Sequence, residues 1–296
     1  MPFRNVRLAP VDSLTMTPEA NSMTIHAIFL DVDGTYADFG IVPEAHVLAV
    51  QAARANGHKV FLCTGRPVSM LPEHILDAGF DGLVASAGAY VEVAGEVLLD
   101  TRFSADLAGR TVAVLDAHDS VYVLEAQESL HVAPAAEQRL RRIIEAHFDK
   151  SSNGPGKGSS AILGSLLPWS AQSPLFAKVS VFESPIPMEL IAAEIGAEIA
   201  VVANSIADEG AHAGELYQRT ISKADGVAVA IAKLGIEQGN TIAFGDGQND
   251  LEMVAYAGIG VAIEGSSAEL LALADRTTAP PSRDGIATAF AELGLI

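Results

Sequence analysis

The sequence predicts an α/β fold in which a parallel-sheet core is interrupted by an inserted α+β unit. Three observations carry this. Short apolar runs recur along the chain, each ending in acids, hydroxyls and glycines. Segments with apolar residues at helical spacing lie between them, and from Gly88 onward the texture changes to hairpins mixed with helices. Strands alternating with helices pair in parallel, because each crossover returns the chain in the same direction.

Residues 1–22 carry proline and scattered polar residues without period and are expected to be a flexible tail, while Met23 offers a second candidate start just before the first strand. The stretch that organises the chain follows. Ile25 to Leu30 is an apolar run that stops at Asp31-Val32-Asp33-Gly34-Thr35, the pattern of a buried strand delivering two acids into a turn at its carboxyl end. In open α/β sheets, ligands sit at that end. On an extended chain residues i and i+2 point the same way, so Asp31 and Asp33 can serve one centre, one attacking and one moving a proton.

Pro43 then starts a helix over Glu44 to Asn56 that Gly57 stops, and Val60 to Cys63 is the second strand, delivering Thr64-Gly65-Arg66-Pro67. The right-handed crossover brings Thr64 beside Asp31. A helix over Val68 to Ala78 and a strand over Leu83 to Ser86 complete a second crossover. Tyr90 to Leu99 alternates around a glycine turn and reads as a hairpin that opens the inserted unit. Helices near 107–117, 135–148 and 188–195 and strands near 121–125, 130–132, 177–182, 198–203 and 215–217 continue it. The Ser/Gly/Pro-rich stretch Ser151 to Ser160 contains Gly156-Lys157, but Gly158 stands where a P-loop needs a hydroxyl, so it reads as a surface loop. Thr220-Ile221-Ser222-Lys223 then opens a helix reaching Leu234, with Ser222 as its cap. A lysine in a first turn opposes the helix dipole, which favours a functional placement. Thr241 to Phe244 is a strand ending in Gly245-Asp246-Gly247-Gln248-Asn249-Asp250, the most specific signal in the chain. A helix (251–255), a last strand (258–263) and two covering helices (266–273, 284–293) finish the core.

Composition excludes several classes. With 49% apolar and 19% charged residues in 296, the chain is a packed globular protein of one large or two ordinary domains. Its 18 basic against 37 acidic residues leave little room for the basic stripe that nucleic acid or an anionic membrane would need. The single cysteine, Cys63, forbids an intrachain disulfide and points to a reducing, cytoplasmic location, and its apolar surroundings suit burial better than catalysis. No apolar run has the length of a membrane span, and the first 20 residues lack the apolar centre of a signal peptide.

Taken together and in order, Asp31-Val32-Asp33-Gly34-Thr35, Thr64-Gly65, Lys223 and Gly245-Asp246-Gly247-Gln248-Asn249-Asp250 resemble the four motifs of the haloacid-dehalogenase-like (HAD) hydrolases, specifically the Cof-type, subfamily IIB phosphatases. The resemblance implies a Rossmann-like core over 23–87 and 214–296 and an α/β (type IIB) cap over 88–213. It implies an Mg²⁺-dependent phosphatase of small phosphorylated metabolites, sugar phosphates or similar, working through an aspartyl-phosphate. Asp31 is then the nucleophile and Asp33 the acid and base. Thr64, Gly65 and Lys223 hold the phosphoryl group, and Asn249 orients Asp246 or touches substrate. Four carboxylates at neighbouring strand ends repel one another in a low-dielectric cleft, and a hard cation resolves the conflict. Asp31 and Asp246 are expected to ligate Mg²⁺ by side chain, Asp33 by its backbone carbonyl as in the family, and Asp250 directly or from behind. Two departures from the family pattern, Tyr36 and Glu264-Gly265-Ser266, bear on substrate preference. Two alternatives stay open: a phosphomutase of the phosphomannomutase type, with Arg139, Arg141 and Arg142 weighed as holders of a second phosphate or as a solvated face, and a non-catalytic protein on the same fold. The precise substrate and the oligomeric state are not legible.

Overall fold

The computed structural model describes residues 24–38, 40–150, 163–170, 172–202 and 210–296, apart from the side chains of 147–150. The expected tail, Met23 and the stretch Ser151 to Ser160 lie outside the described residues.

The chain begins with β1 (Ala27–Leu30), α1 (Glu44–Ala55), β2 (Lys59–Cys63), α2 (Glu73–Leu76) and β3 (Gly82–Ala85), then the hairpin β4 (Tyr90–Val93) and β5 (Glu96–Asp100). It continues through α3 (Ala105–Ala117), β6 (Val121–Glu125), β7 (Leu130–Val132), α4 (Glu137–Lys150), β8 (Leu166–Pro168), β9 (Lys178–Glu183), α5 (Met188–Ile195), β10 (Ile199–Val202) and β11 (Gly214–Gln218). It closes with α6 (Lys223–Leu234), β12 (Thr241–Gly245), α7 (Leu251–Tyr256), β13 (Ile259–Ile263), α8 (Ala268–Leu273), β14 (Arg276–Thr278) and α9 (Gly285–Glu292).

Two sheets result. The first has eight strands in the order β14-β13-β12-β1-β2-β3-β4-β5, parallel from β14 to β3. Strand β1 is central, and its last residue, Leu30, is level with Leu62 of β2 and Phe244 of β12. The segments that follow those three strands therefore emerge side by side. Alternate side chains feed two cores. Ile28, Leu30, Val60, Leu62 and Phe244 pack on α1 and α9, whereas Phe29, Phe61 and Ala243 pack on α6 and α7. Each fully buried Leu or Phe in these layers contributes about 2 to 3 kcal/mol. Tyr36, one of the departures, is fully buried in the α1 core and packs edge-on to Phe80, so it acts through packing.

The second sheet is six strands in the order β10-β11-β9-β6-β7-β8. Helices α3 and α5 cover one face, on Tyr122, Leu124, Val179, Val181 and Leu216. On the other face α4 covers Val121, Val123 and Phe182 through Leu140 and Ile144. Arg139 pairs there with Asp119 and Glu183, and Arg141 with Glu137.

Three expectations change. The hairpin Tyr90–Asp100, expected to open the inserted unit, pairs antiparallel with β3 and extends the first sheet, because β3 leaves a free edge that the next strand fills. At the other boundary β11, which begins at residue 214, belongs to the second sheet. The expected helix over Val68 to Ala78 breaks into a 3₁₀ turn, Val68–Met70, and the four-residue α2. Pro72 excludes the helical conformation at Leu71, which is extended at φ −99 and ψ 102.

Candidate active site

The floor of the site is built where β1, β2 and β12 end. The Asp31 amide donates to the Phe244 carbonyl at 3.0 Å, which locks the acid beside the last turn of β12. Gly34 follows at φ +85, and a Cβ there would lie 2.3 Å from Asp246 Oδ2, so only glycine lets the two loops meet. The Thr35 hydroxyl donates to Asp246 Oδ1 at 2.8 Å.

Lys223 is the first residue of α6. Ser222 caps that helix in a reciprocal box with Asp225. Gly88, at φ +104, lets the turn after β3 lie against it, since a Cβ there would stand 1.9 Å from the Ser222 carbonyl oxygen. The Lys223 ammonium, 1% exposed, donates to Asp31 Oδ1 at 2.6 Å and to Asp250 Oδ1 at 2.5 Å. Burial opposes the charge on this lysine, but the carboxylates of Asp250 and then Asp31 outweigh it and hold its pKa above the ordinary value. The other oxygen of Asp250 accepts the amides of Asp246 and Gly247 at 3.0 and 2.9 Å.

One ammonium serves three acids. Burial, with Asp250 and Asp246 adding to it against Lys223, raises the Asp31 carboxyl well above the usual range. Burial and then Asp250 push Asp246 up to about 6. Asp31, Asp246 and Asp250 can each present an oxygen within 4.8 Å of the others. This all-oxygen, negatively charged set fits a hard divalent cation of the Mg²⁺ kind. Asp31 commits one oxygen to Lys223 and Asp246 one to Thr35, so each retains a second.

The fourth expected carboxylate is not one of this trio. Asp33, its side chain half exposed, is gripped by the Arg66 guanidinium at 2.7 and 2.5 Å. The i, i+2 rule holds only for an extended chain, and here the backbone turns at once, with the Tyr36 amide reaching back to the carbonyls of Asp31 and Val32. Thr64 is buried, its hydroxyl accepting from the Arg66 amide at 3.1 Å, and a Cβ on Gly65 would lie 3.3 Å from Asn249 Nδ2. Above this floor opens a cleft whose lining includes Lys223 and Asn249 from below and Lys178, Glu215 and Tyr217 from the second sheet.

Sequence reasoning missed Lys178 and its partners Glu125 and Glu215, as well as the contacts of Thr35 and Arg66. Lys178 carried a signal: a lysine opening the run Val179-Ser180-Val181-Phe182 sits on a strand that is otherwise buried. The Glu264 to Ser266 turn does not line the cleft; Glu264 pairs with Arg283.

A family model for haloacid dehalogenase-like hydrolases matches residues 28–290. The Bacillus subtilis protein named "Putative phosphatase YkrA" is 27% identical over 91% of this chain and 98% of its own length. Among solved structures, BT1666 from Bacteroides thetaiotaomicron, described as a phosphatase of the same superfamily, is 23% identical with a TM-score of 0.71, covering 96% of this chain and all of that one. BT4131, described as a subclass IIB sugar phosphatase, is 23% identical with a TM-score of 0.70, covering 92% of this chain and all of that one. At these identities the structural likeness shows the fold.

Proposed function

The chain belongs to the haloacid dehalogenase-like hydrolases and is a phosphatase, and on that premise we propose that it releases phosphate from small phosphorylated metabolites, sugar phosphates or similar, with Mg²⁺ and through an aspartyl-phosphate on Asp31. The observation that carries the proposal is the convergence of Lys223, Asp31, Asp246 and Asp250, delivered by three separate segments, beside a cleft that Lys223 lines. The direct test is phosphate release from a panel of phosphorylated metabolites with and without Mg²⁺. No Mg²⁺-dependent release from any of them would defeat the proposal.

In this mechanism the free oxygen of Asp31 attacks phosphorus as the ester bond to the leaving alcohol breaks. Asp33 gives that alcohol a proton and later takes one from the water that hydrolyses the acyl phosphate. To do so its carboxylate turns out of the Arg66 fork toward the cleft, a rotation open to a half-exposed side chain. The Thr64 hydroxyl, the Gly65 amide and the Lys223 ammonium stabilise charge on the phosphoryl oxygens, the largest contribution in reactions of this type. Asp31 and Asp246 would hold Mg²⁺ by side chain and Asp33 by its carbonyl, while Asp250, committed to Lys223 and two amides, would stand behind them. Bound Mg²⁺ supplies the positive charge that offsets the acids and the substrate dianion. The second sheet then acts as a cap that excludes water and selects the leaving group, in the cytoplasm, on a metabolite and not on nucleic acid or membrane. No described helix is long and apolar enough to cross a membrane. The arginines weighed for a mutase do not line the cleft, and two of them are held by acids of the second sheet's own unit.

Two expectations arise here. Asp33→Asn should lower turnover of alkyl phosphates about 10² to 10⁴-fold, and that of p-nitrophenyl phosphate far less, because nitrophenolate leaves without a proton. Equal losses on both, measured by steady-state kinetics, would remove Asp33 from the proton transfer. The second concerns metal and pH. The folded protein holds Asp246 at a raised pKa of about 6, so it binds more protons than the unfolded chain between roughly pH 4 and 6, and this site loses stability as pH rises through that window. Mg²⁺ competes with those protons. Its stabilisation in thermal melts should therefore be small near pH 4.5, grow to a plateau above pH 7, and be largely lost in Asp246→Ala, along with activity.

A further inference from the structure

We infer that Gln127, in the turn between β6 and β7, is a positioning residue for phosphoryl transfer. By bridging the segments that follow β2 and β3 it fixes the Thr64-Gly65 loop, so that the site is complete only while the second sheet's unit is seated on the first. The inference rests on the reading that Thr64 and Gly65 hold the phosphoryl group.

A residue in the middle of a hairpin turn is ordinarily polar because it faces water. Gln127 is polar but only 7% exposed. A buried amide costs stability unless both of its ends are bonded, and both ends of this one are bonded outside its own sheet. Its Oε1 accepts from the Val68 amide at 3.1 Å, and its Nε2 donates to the Ser86 hydroxyl at 3.0 Å. Those partners stand on two segments that already pair with each other. The Ser86 amide donates to the Arg66 carbonyl at 2.9 Å, and the Ala87 amide to the Thr64 carbonyl at 3.0 Å. Gln127 closes the ring.

The turn after β3 needs that support. Ser86 and Ala87 are consecutive non-glycine residues at φ +47 and +54, a left-handed conformation that L side chains resist and that persists only where the surroundings impose it. This turn reaches the chemistry on two sides. Ala87 lines the cleft and bonds Thr64, while Gly88 lies against the Ser222 carbonyl, next to Lys223. If Ser86 relaxes, the backbone from Thr64 to Arg66 loses the partners that hold it. Other contacts keep the β6–β7 turn seated when Gln127 is changed. The Ser69 hydroxyl donates to the Ala126 carbonyl at 3.2 Å, Met70 packs on the layer that contains Val121, Val123 and Leu130, and Arg102 donates to Glu128 at 2.5 Å. A variant at 127 therefore loses the bridge and not the docking.

The test uses Gln127→Met, close in shape and unable to make either bond, and Ser86→Ala, which deletes only the hydroxyl. The substrates are p-nitrophenyl phosphate and whichever compound of the metabolite panel the parent hydrolyses best, with Mg²⁺. On both, each variant should lose about tenfold or more in kcat with KM within about threefold of the parent's, because a misplaced loop costs the transition state more than the ground state. The double variant should lose about as much as either alone, as the two ends of one link do; additive losses would mean two independent effects and overturn the inference. Hydrogen exchange read by mass spectrometry follows the same link without substrate. The amides of Ser86 and Ala87, which bond the Thr64 to Arg66 backbone and not Gln127, should exchange about tenfold faster in Gln127→Met. The inference is overturned by a kcat within about threefold of the parent's in both variants, by a loss confined to KM or to the metabolite, as a lid that only encloses substrate would give, or by unchanged exchange at Ser86 and Ala87. A parent that hydrolyses nothing defeats the phosphatase reading instead, and the exchange result alone then decides whether Gln127 fixes the loop.

Discussion

Asp31→Asn should cut phosphate release by at least about 10⁴-fold while leaving the fold intact, the expected result when the only nucleophile is replaced by a near-isostere that cannot form an acyl phosphate. The amide oxygen can still accept from Lys223, so the hydrogen bond at 2.6 Å survives in neutral form. The site also loses one of three crowded acids, whose mutual repulsion helps raise the Asp31 carboxyl. The metal-free variant should therefore melt no lower than the parent at pH 7, while its gain in melting temperature with Mg²⁺ shrinks. Melts and steady-state assays on the same preparation separate these effects. Turnover within a hundredfold of the parent would exclude covalent catalysis through this residue.

Lys223→Met should be costly in a different way. It removes the cation and strands two buried carboxylates, Asp31 and Asp250, a situation that typically costs about 3 to 5 kcal/mol. Stability should drop most at neutral pH. With the cation gone the Asp31 carboxyl is raised further, so the variant takes up a proton that the unfolded chain does not, and its deficit should narrow as pH falls toward 4. Turnover should fall about 10² to 10³-fold even where the variant is folded, because the positive end of the phosphoryl site is missing. Chemical denaturation at pH 7 and pH 5 measures the first effect. A pH-independent deficit would mean that Lys223 acts through packing alone.

The parts of this site that could be read from the sequence are those where one short segment carries both the strand and its chemistry. Asp31, Thr64 and Asp246 each follow directly on an apolar run, so the alignment of strand ends brings them together without knowledge of any distant contact. Lys223 stood out because its place at a helix start is unfavourable unless acids meet it. The pairing of Asp33 with Arg66 was not legible, because the extended-chain rule does not carry across a turn whose backbone bonds only the fold reveals. The hairpin Tyr90–Asp100 was recognised as a hairpin but assigned to the inserted unit, since pairing with β3 is a choice of partner and not a local property. Lys178, Glu125 and Glu215 become neighbours only through the strand order β11-β9-β6, which spacing along the chain cannot supply. Pro72 was in plain view, and its effect on Leu71 could have been read from the sequence.

The placement of β5 at one end of the eight-stranded sheet and β14 at the other bears on self-association. Unpaired backbone at a sheet margin invites a strand from another molecule. Here one margin is five residues long, flanked by Glu96 and Asp100, each engaged by a cation, and the other is three residues opening with Arg276. Short, charge-bracketed margins on a molecule of net charge −19 work against fibrous growth.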